Sequence, residues 1–403
     1  MRAAKLIMVT PENNNKYYDM VEGPGGIEVT YGRVGVTAIK KNYPITKWQN
    51  LYSSKIKKGY KDCTDLHAIV KSSSTFADIS DSAVRQIVEQ LQRYAKASVK
   101  SNYTISADAV TQKQVDYAQQ LIDELVGKIK RGSKTQKFNE ELLDLYQAIP
   151  RKMKKVQDHL LQYSTFADAK GLAFANSLIA NEQDVLDVMK GQVNVSAKQK
   201  SNVGNKLTIL ESMGIEIHAP TVKEIAIMKK QLGGLSSKYQ KGFRVVNAKT
   251  QKKFDDFVNN AKNKTTTLFW HGSRNENWWS IMNSGLVLRP QGAVITGKMF
   301  GYGIYFADRA KKSLGYTSLD GSYWARGRGS TGFMSLYNVH TGKPLKVTGG
   351  EHWSSSMTEK KLKQRGNYDS LFATKSGGRL YNNEYIIYND KQCTINYLVE
   401  LGK

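Results

Sequence analysis

Apolar and polar residues change their period twice along this chain. Over residues 1–65 they alternate or cluster in short runs, at 5–9, 17–21 and 27–31, as half-buried strands do. Gly23, Pro24, Gly25 and Gly26 supply turn chemistry between two of these runs. Residues 45–57 then place Trp48, Leu51 and Tyr52 on one side of an expected helix. From about residue 80 to 232 the spacing is helical. Asp81 can cap a helix bearing Val84, Ile87, Val88, Leu91 and Tyr94. A second stripe joins Val115, Ala118, Leu121, Ile122, Leu125, Val126 and Ile129, and others follow at 142–149 and 178–189. Pro150 marks a helix boundary, and the polar stretch 191–206 reads as a loop. From about 235 strands return, at 243–246, 267–270, 303–306, 334–339, 385–388 and 395–401, with short helices at 278–283 and 309–314. The pattern predicts a multidomain α+β protein: a small β-rich N-terminal domain, an all-α middle, and a C-terminal mixed α/β domain with central sheets.

Composition narrows the class. The chain has 403 residues and 40% are hydrophobic, which suits several packed domains and not global disorder. It contains no run of about 18 apolar residues, so no membrane partner is expected. Residues 1–9 lack the apolar core of a signal peptide and read as a first strand. With Cys63 and Cys393 alone and 6 His, a cysteine-based metal site is not expected, and a reducing intracellular compartment is. The net charge of +25 points to a polyanionic partner, with general solubility as the plainer alternative. Charge by itself implies non-specific affinity only.

Chemistry concentrates late in the chain. His271 stands in the run Trp270, His271, Gly272, Ser273, Arg274; Tyr305 follows inside 300–308; Glu384 opens the run Glu384, Tyr385, Ile386. Taken singly, these read as a structural histidine, a core tyrosine and an edge charge. Gly301 and Gly303 lack a third glycine, since Phe306 stands there, so they are not a dinucleotide fingerprint. Taken together and in order, the three resemble the His-Tyr-Glu signature of poly(ADP-ribose) polymerases, which cleave the glycosidic bond of NAD⁺ and transfer ADP-ribose to an acceptor.

The resemblance implies a role for each residue. Gly272 would hold the nicotinamide amide through its backbone, with Ser313 donating to the same amide. Tyr316 and Tyr305 would flank the ring. His271 would bind the adenosine ribose, with Ser273 supporting that end. Glu384 would bind the 2′-hydroxyl of the nicotinamide ribose and stabilise the developing positive charge. Lys312, Ser313 and Tyr316 resemble the family's Lys-Ser-x-x-Tyr segment. Departures are also present. Val287 stands where an arginine is common, with Arg289 as a substitute. Lys298 follows Thr296 and Gly297 in place of an aromatic. Tyr381, Asn382, Asn383, Glu384 carries one residue more than the family's Tyr-Asn-Glu. Residues 321–332 read as an inserted, solvated loop, with phosphate contact as the alternative.

Tyr31, Gly32 and Arg33 resemble the core of a WGR domain, a DNA-end-binding module of the DNA-dependent members, with Tyr31 in place of the name-giving tryptophan. Tyr31 would stack on a sugar or base, and Arg33, Lys40 and Lys41 would meet phosphates. The expected domains are 1–65 (WGR-like), 66–109 (helical linker), 110–234 (regulatory helices, resembling the family's most at 109–125 and 138–149) and 235–403 (catalytic). The expected activity is DNA-break-stimulated building of poly(ADP-ribose) on protein acceptors, the protein itself included, in the DNA damage response. NAD⁺ is the substrate, no metal is needed, and the protein is expected to be a monomer. The alternatives are single ADP-ribose transfer to protein or nucleic-acid ends, and a DNA-binding protein with an inactive transferase fold. Localisation follows DNA: nuclear in a eukaryote, cytoplasmic at the nucleoid in a bacterial or viral setting.

Overall fold

The structure is a computed structural model that describes residues 2–66, 76–104, 107, 110–132, 135–162, 169–201, 207–288, 299–351, 353–375 and 380–403. Ala109, Arg289, Thr296, Gly297 and Lys298 lie outside the described residues. The chain forms two compact units. The first holds Met1–Ser73 and Lys96–Ser196, and the second Ser74–Ala95, Ala197–Gln291 and Gly297–Lys403.

In the first unit, β1 (Ala3–Val9), β2 (Asn15–Gly23), β3 (Gly26–Arg33), β4 (Ile39–Tyr43) and β5 (Lys61–Asp62) form an antiparallel sheet in the order β4-β3-β2-β1-β5. Gly26 closes the β2–β3 hairpin at φ +122°, and a Cβ there would collide with the Tyr43 carbonyl. Alternation turns Leu6, Met8, Tyr18, Met20, Ile27 and Val29 into one core, closed by Tyr60 and by Trp48 of α1 (Trp48–Lys57). The helix expected over 45–57 begins as a 3₁₀ turn, Ile45–Lys47, before α1. Lys55 lies over the rings of Tyr18, Tyr60 and Tyr31, at 4.1, 5.4 and 5.9 Å.

The helical period becomes α2 (Ser82–Asn102), α3 (Gln112–Lys130), α4 (Thr135–Ala148) and α5 (Ala169–Ser201). Asp81 caps α2, accepting from Ala83 and Val84 N–H at 2.8 and 3.1 Å. Thr111 and Gln114 form a capping box on α3, whose stripe from Val115 to Ile129 is buried. The loop expected from 191 is instead the continuation of α5 to Ser201, because Gln192 and Val193 are buried and packing outweighs local polarity; 202–206 lie outside the described residues. Buried Arg151 pairs with buried Glu182 at 3.0 Å, and the Arg151 carbonyl accepts from Asn15 at 3.0 Å, tying the sheet and helices of this unit.

The second unit contains α6 (Ile209–Met213), β6 (Ile215–His218), α7 (Val222–Leu232), β7 (Tyr239–Asn247), α8 (Ala248–Asn260), β8 (Thr266–Gly272), α9 (Trp278–Ser284), β9 (Ile304–Phe306), α10 (Ala310–Leu314), β10 (Thr331–His340), β11 (Pro344–Val347), α11 (Glu359–Gln364), β12 (Ser370–Ala373), β13 (Glu384–Ile387) and β14 (Cys393–Gly402). One sheet runs β6-β7-β14-β10-β8, antiparallel throughout. The other runs β11-β12-β13-β9, parallel only between β11 and β12. β10 and β14 are buried almost residue by residue, as central strands covered on both faces are. Phe333, Met334, Leu336, Val399 and Leu401 are fully buried there. The sheets meet at a two-bond bridge: Trp270 N–H donates to the Ala307 carbonyl at 2.8 Å and Ala307 N–H to the Trp270 carbonyl at 2.9 Å. Among the described residues, no helix is long and apolar enough to cross a membrane.

Candidate active site

That bridge brings His271 and Tyr305 together. His271 follows Trp270 on β8, and its Nδ1 lies 3.1 Å from the Tyr305 carbonyl oxygen. Its ring is walled edge-on by Trp278, Phe306 and Tyr337, at 6.4, 5.9 and 6.1 Å. Three aromatic walls and a carbonyl fix the imidazole's direction. Tyr305 pairs with Ile386 across β9 and β13, two residues from Glu384. Its hydroxyl donates to the Gly301 carbonyl at 2.9 Å and accepts from Phe300 N–H at 3.1 Å, and burial pushes its phenol well up. Tyr305 therefore stays neutral and rigid.

Glu384 starts β13 and forms an ion pair with Lys312 of α10, both side chains being largely buried. Burial lowers the Lys312 pKa, opposed by the Glu384 carboxylate beside it. Asn383 carries the link further: its amide donates to Asp308 at 2.7 Å and its oxygen accepts from Lys375 N–H at 2.8 Å. Asp308 and Asn383 were not among the expected site residues. The extra asparagine before Glu384 was the signal available in the sequence.

Gly272 is required by the fold as well as by any ligand. A Cβ there would collide with the Ser313 carbonyl, so α10 packs directly on the β8 backbone. Ser313 itself is buried. Ser273 accepts from Asn277 at 3.0 Å, and its carbonyl accepts from the Trp278 indole at 3.2 Å, which anchors the turn after His271. Tyr316 is 42% exposed and lies near-parallel to Trp324, centroids 6.3 Å apart. The structure thus gathers His271, Gly272, Ser273, Tyr305, Lys312, Ser313, Tyr316 and Glu384 around the junction of β8, β9, β13 and α10. Val287 is 63% exposed. The segment read as a solvated loop at 321–332 is a hydrogen-bonded turn, and its last two residues enter β10.

The first unit holds the other expected residues. Tyr31 is half-buried on β3, with its ring 5.6 Å from Tyr18. Arg33 is committed to its own chain: it donates to the Asn13 carbonyl and side chain at 2.8 and 3.0 Å and to the Lys154 carbonyl at 2.9 Å. Lys40 is exposed, 3.5 Å from Glu28, and Lys41 is exposed on the same strand. Cys63 and Cys393 are free and buried.

The family profile of the poly(ADP-ribose) polymerase catalytic domain matches residues 223–403. The chain is 32% identical over 213 residues to the uncharacterized protein 101L of Invertebrate iridescent virus 6, covering 53% of this chain and 86% of that one. It is 31% identical over 183 residues to the same virus's poly(ADP-ribose) polymerase-like protein 100L, covering 45% of this chain and 94% of that one. Human poly(ADP-ribose) polymerase 2 is 31% identical over 157 residues, 33% of this chain but 26% of that protein. This chain belongs to the poly(ADP-ribose) polymerase family. Its C-terminal part is an ADP-ribosyltransferase domain that uses NAD⁺ as substrate.

Proposed function

We propose that the protein builds poly(ADP-ribose) on protein acceptors, itself included, when stimulated by DNA breaks. The observation that carries the catalytic part is the buried Lys312–Glu384 pair beside Tyr305 and His271. Cleavage of the nicotinamide–ribose bond develops positive charge on the ribose, and a fixed carboxylate stabilises it without reorganisation. Glu384 takes this role and holds the ribose 2′-hydroxyl. Lys312 holds Glu384 in place. Tyr305 and Tyr316 flank the nicotinamide ring, the Gly272 backbone and Ser313 hold its amide, and His271 with Ser273 holds the adenosine ribose.

Lys40, Lys41 and Tyr31 of the first unit's sheet meet DNA ends, with Arg33 held in place by its bonds to the Asn13 and Lys154 carbonyls. The protein works as a monomer on DNA in the damage response, in the nucleus of a eukaryotic host or in the cytoplasm otherwise. Labelled NAD⁺ with nicked DNA tests this. A DNA-dependent smear of high mass on the protein supports polymerisation. Single labelling independent of DNA supports the second reading, mono-ADP-ribosyl transfer. Two observations favour that reading: the extra Asn383 is tied to Asp308, and Tyr381 is 85% exposed.

A further inference from the structure

Residues 315–329 of the second unit form a turn with a fixed frame. Ser322 is 6% exposed; its hydroxyl donates to the Thr317 carbonyl at 2.6 Å and accepts from Gly327 N–H at 2.8 Å. Trp324 and Ala325 N–H donate to the Gly315 carbonyl at 2.8 and 3.0 Å, and Gly329 N–H to the Ser318 carbonyl at 2.8 Å. A Cβ on Gly327 would collide with the Leu319 carbonyl.

This frame holds two large rings in water. Tyr323 is 76% and Trp324 63% exposed. Their rings sit edge-to-face at 4.7 Å, and Trp324 continues to Tyr316. Arg326 and Arg328 are exposed on the same turn, while its one carboxylate, Asp320, is paired with Lys403 at 3.0 Å. Rings that a fixed backbone keeps from collapsing mark a contact surface. Open aromatic faces beside arginines fit bases joined by phosphates. In a duplex the bases are already stacked on one another. In an ADP-ribose chain two ribose–phosphate groups separate each adenine from the next, whereas Tyr323 and Trp324 are immediate neighbours.

We propose that Tyr323, Trp324, Arg326 and Arg328 form a binding surface for single-stranded nucleic acid on the catalytic unit. It is distinct from the DNA-end contacts proposed for the first unit and does not depend on them.

Ultraviolet cross-linking of the full chain to a labelled oligothymidylate, with the attachment sites mapped by mass spectrometry, tests it. Cross-links on the peptide carrying Tyr323 and Trp324 are expected. Affinity should fall at least about thirtyfold in Tyr323→Ala/Trp324→Ala, since stacking is worth ~1–3 kcal/mol per base and two rings are removed. Arg326→Gln/Arg328→Gln should flatten the salt dependence. An unchanged thermal midpoint would show that these exposed substitutions leave the fold intact. Cross-links confined to the first unit, with affinity unaltered in both variants, would overturn the proposal. So would displacement of the oligonucleotide from this peptide by an ADP-ribose chain that binds it more tightly, which would assign the surface to that polymer.

Discussion

Replacing Glu384 by glutamine keeps its size and removes the charge that pairs with Lys312. Nicotinamide release should fall on the order of 10²–10³-fold, the usual effect of removing one group aimed at developing charge. A variant within a few-fold of the native rate would exclude Glu384 from the chemistry. Lys312 gives a pH signature. Burial lowers its pKa, against the opposing charge of Glu384, so it loses its proton below the ordinary 10.5. The alkaline limb of kcat/KM should therefore lie below that value and move upward in Lys312→Arg; a limb that stays in place would assign it to another group. His271, Tyr305 and Glu384 stood out in the sequence because each has a distinctive neighbourhood. Their partners did not. Asn383 and Asp308 are 75 residues apart, and only the pairing of β13 with β9 brings them together.

At the scale of elements, α10 against β8 is the tightest joint of the site. Gly272→Ala should cost about 1–3 kcal/mol by overpacking, read as a lower thermal midpoint, with KM for NAD⁺ raised as α10 is displaced. A midpoint and KM equal to the native values would show that the joint can relax. In the first unit, Arg151→Met leaves Glu182 buried without its partner and should cost about 3–5 kcal/mol in denaturant unfolding. Arg151→Met/Glu182→Leu should recover most of that loss; equal loss in both would assign the effect to packing at Arg151 alone. Elements with a continuous apolar stripe, such as α3, were legible in the sequence. α8 was not, because among its residues only Phe254 is buried and most others are polar. β4 was missed for a similar reason: Ile39–Tyr43 is exposed along most of its length, and pairing with β3 alone holds it in the sheet.

At the scale of the whole molecule, the net charge of +25 is the observation behind the proposed binding of nucleic acid. Binding to DNA should weaken steeply with salt, and a flat salt dependence would mean that this charge serves solubility alone. The sequence showed the helical period beginning near residue 80, but not the strand β6 within it, the helix α8 beyond it, or that residues 96–196 and the N-terminal sheet form one compact unit. Contacts such as Asn15 to the Arg151 carbonyl span 136 residues and leave no periodic trace. The catalytic claim is tested most directly by nicotinamide release from NAD⁺, measured for the native chain and for Glu384→Gln side by side. The expected result is release by the native protein that falls at least a hundredfold in the variant, in line with the loss of one preorganised charge. Equal release from both, or none from either with DNA present, would contradict the account.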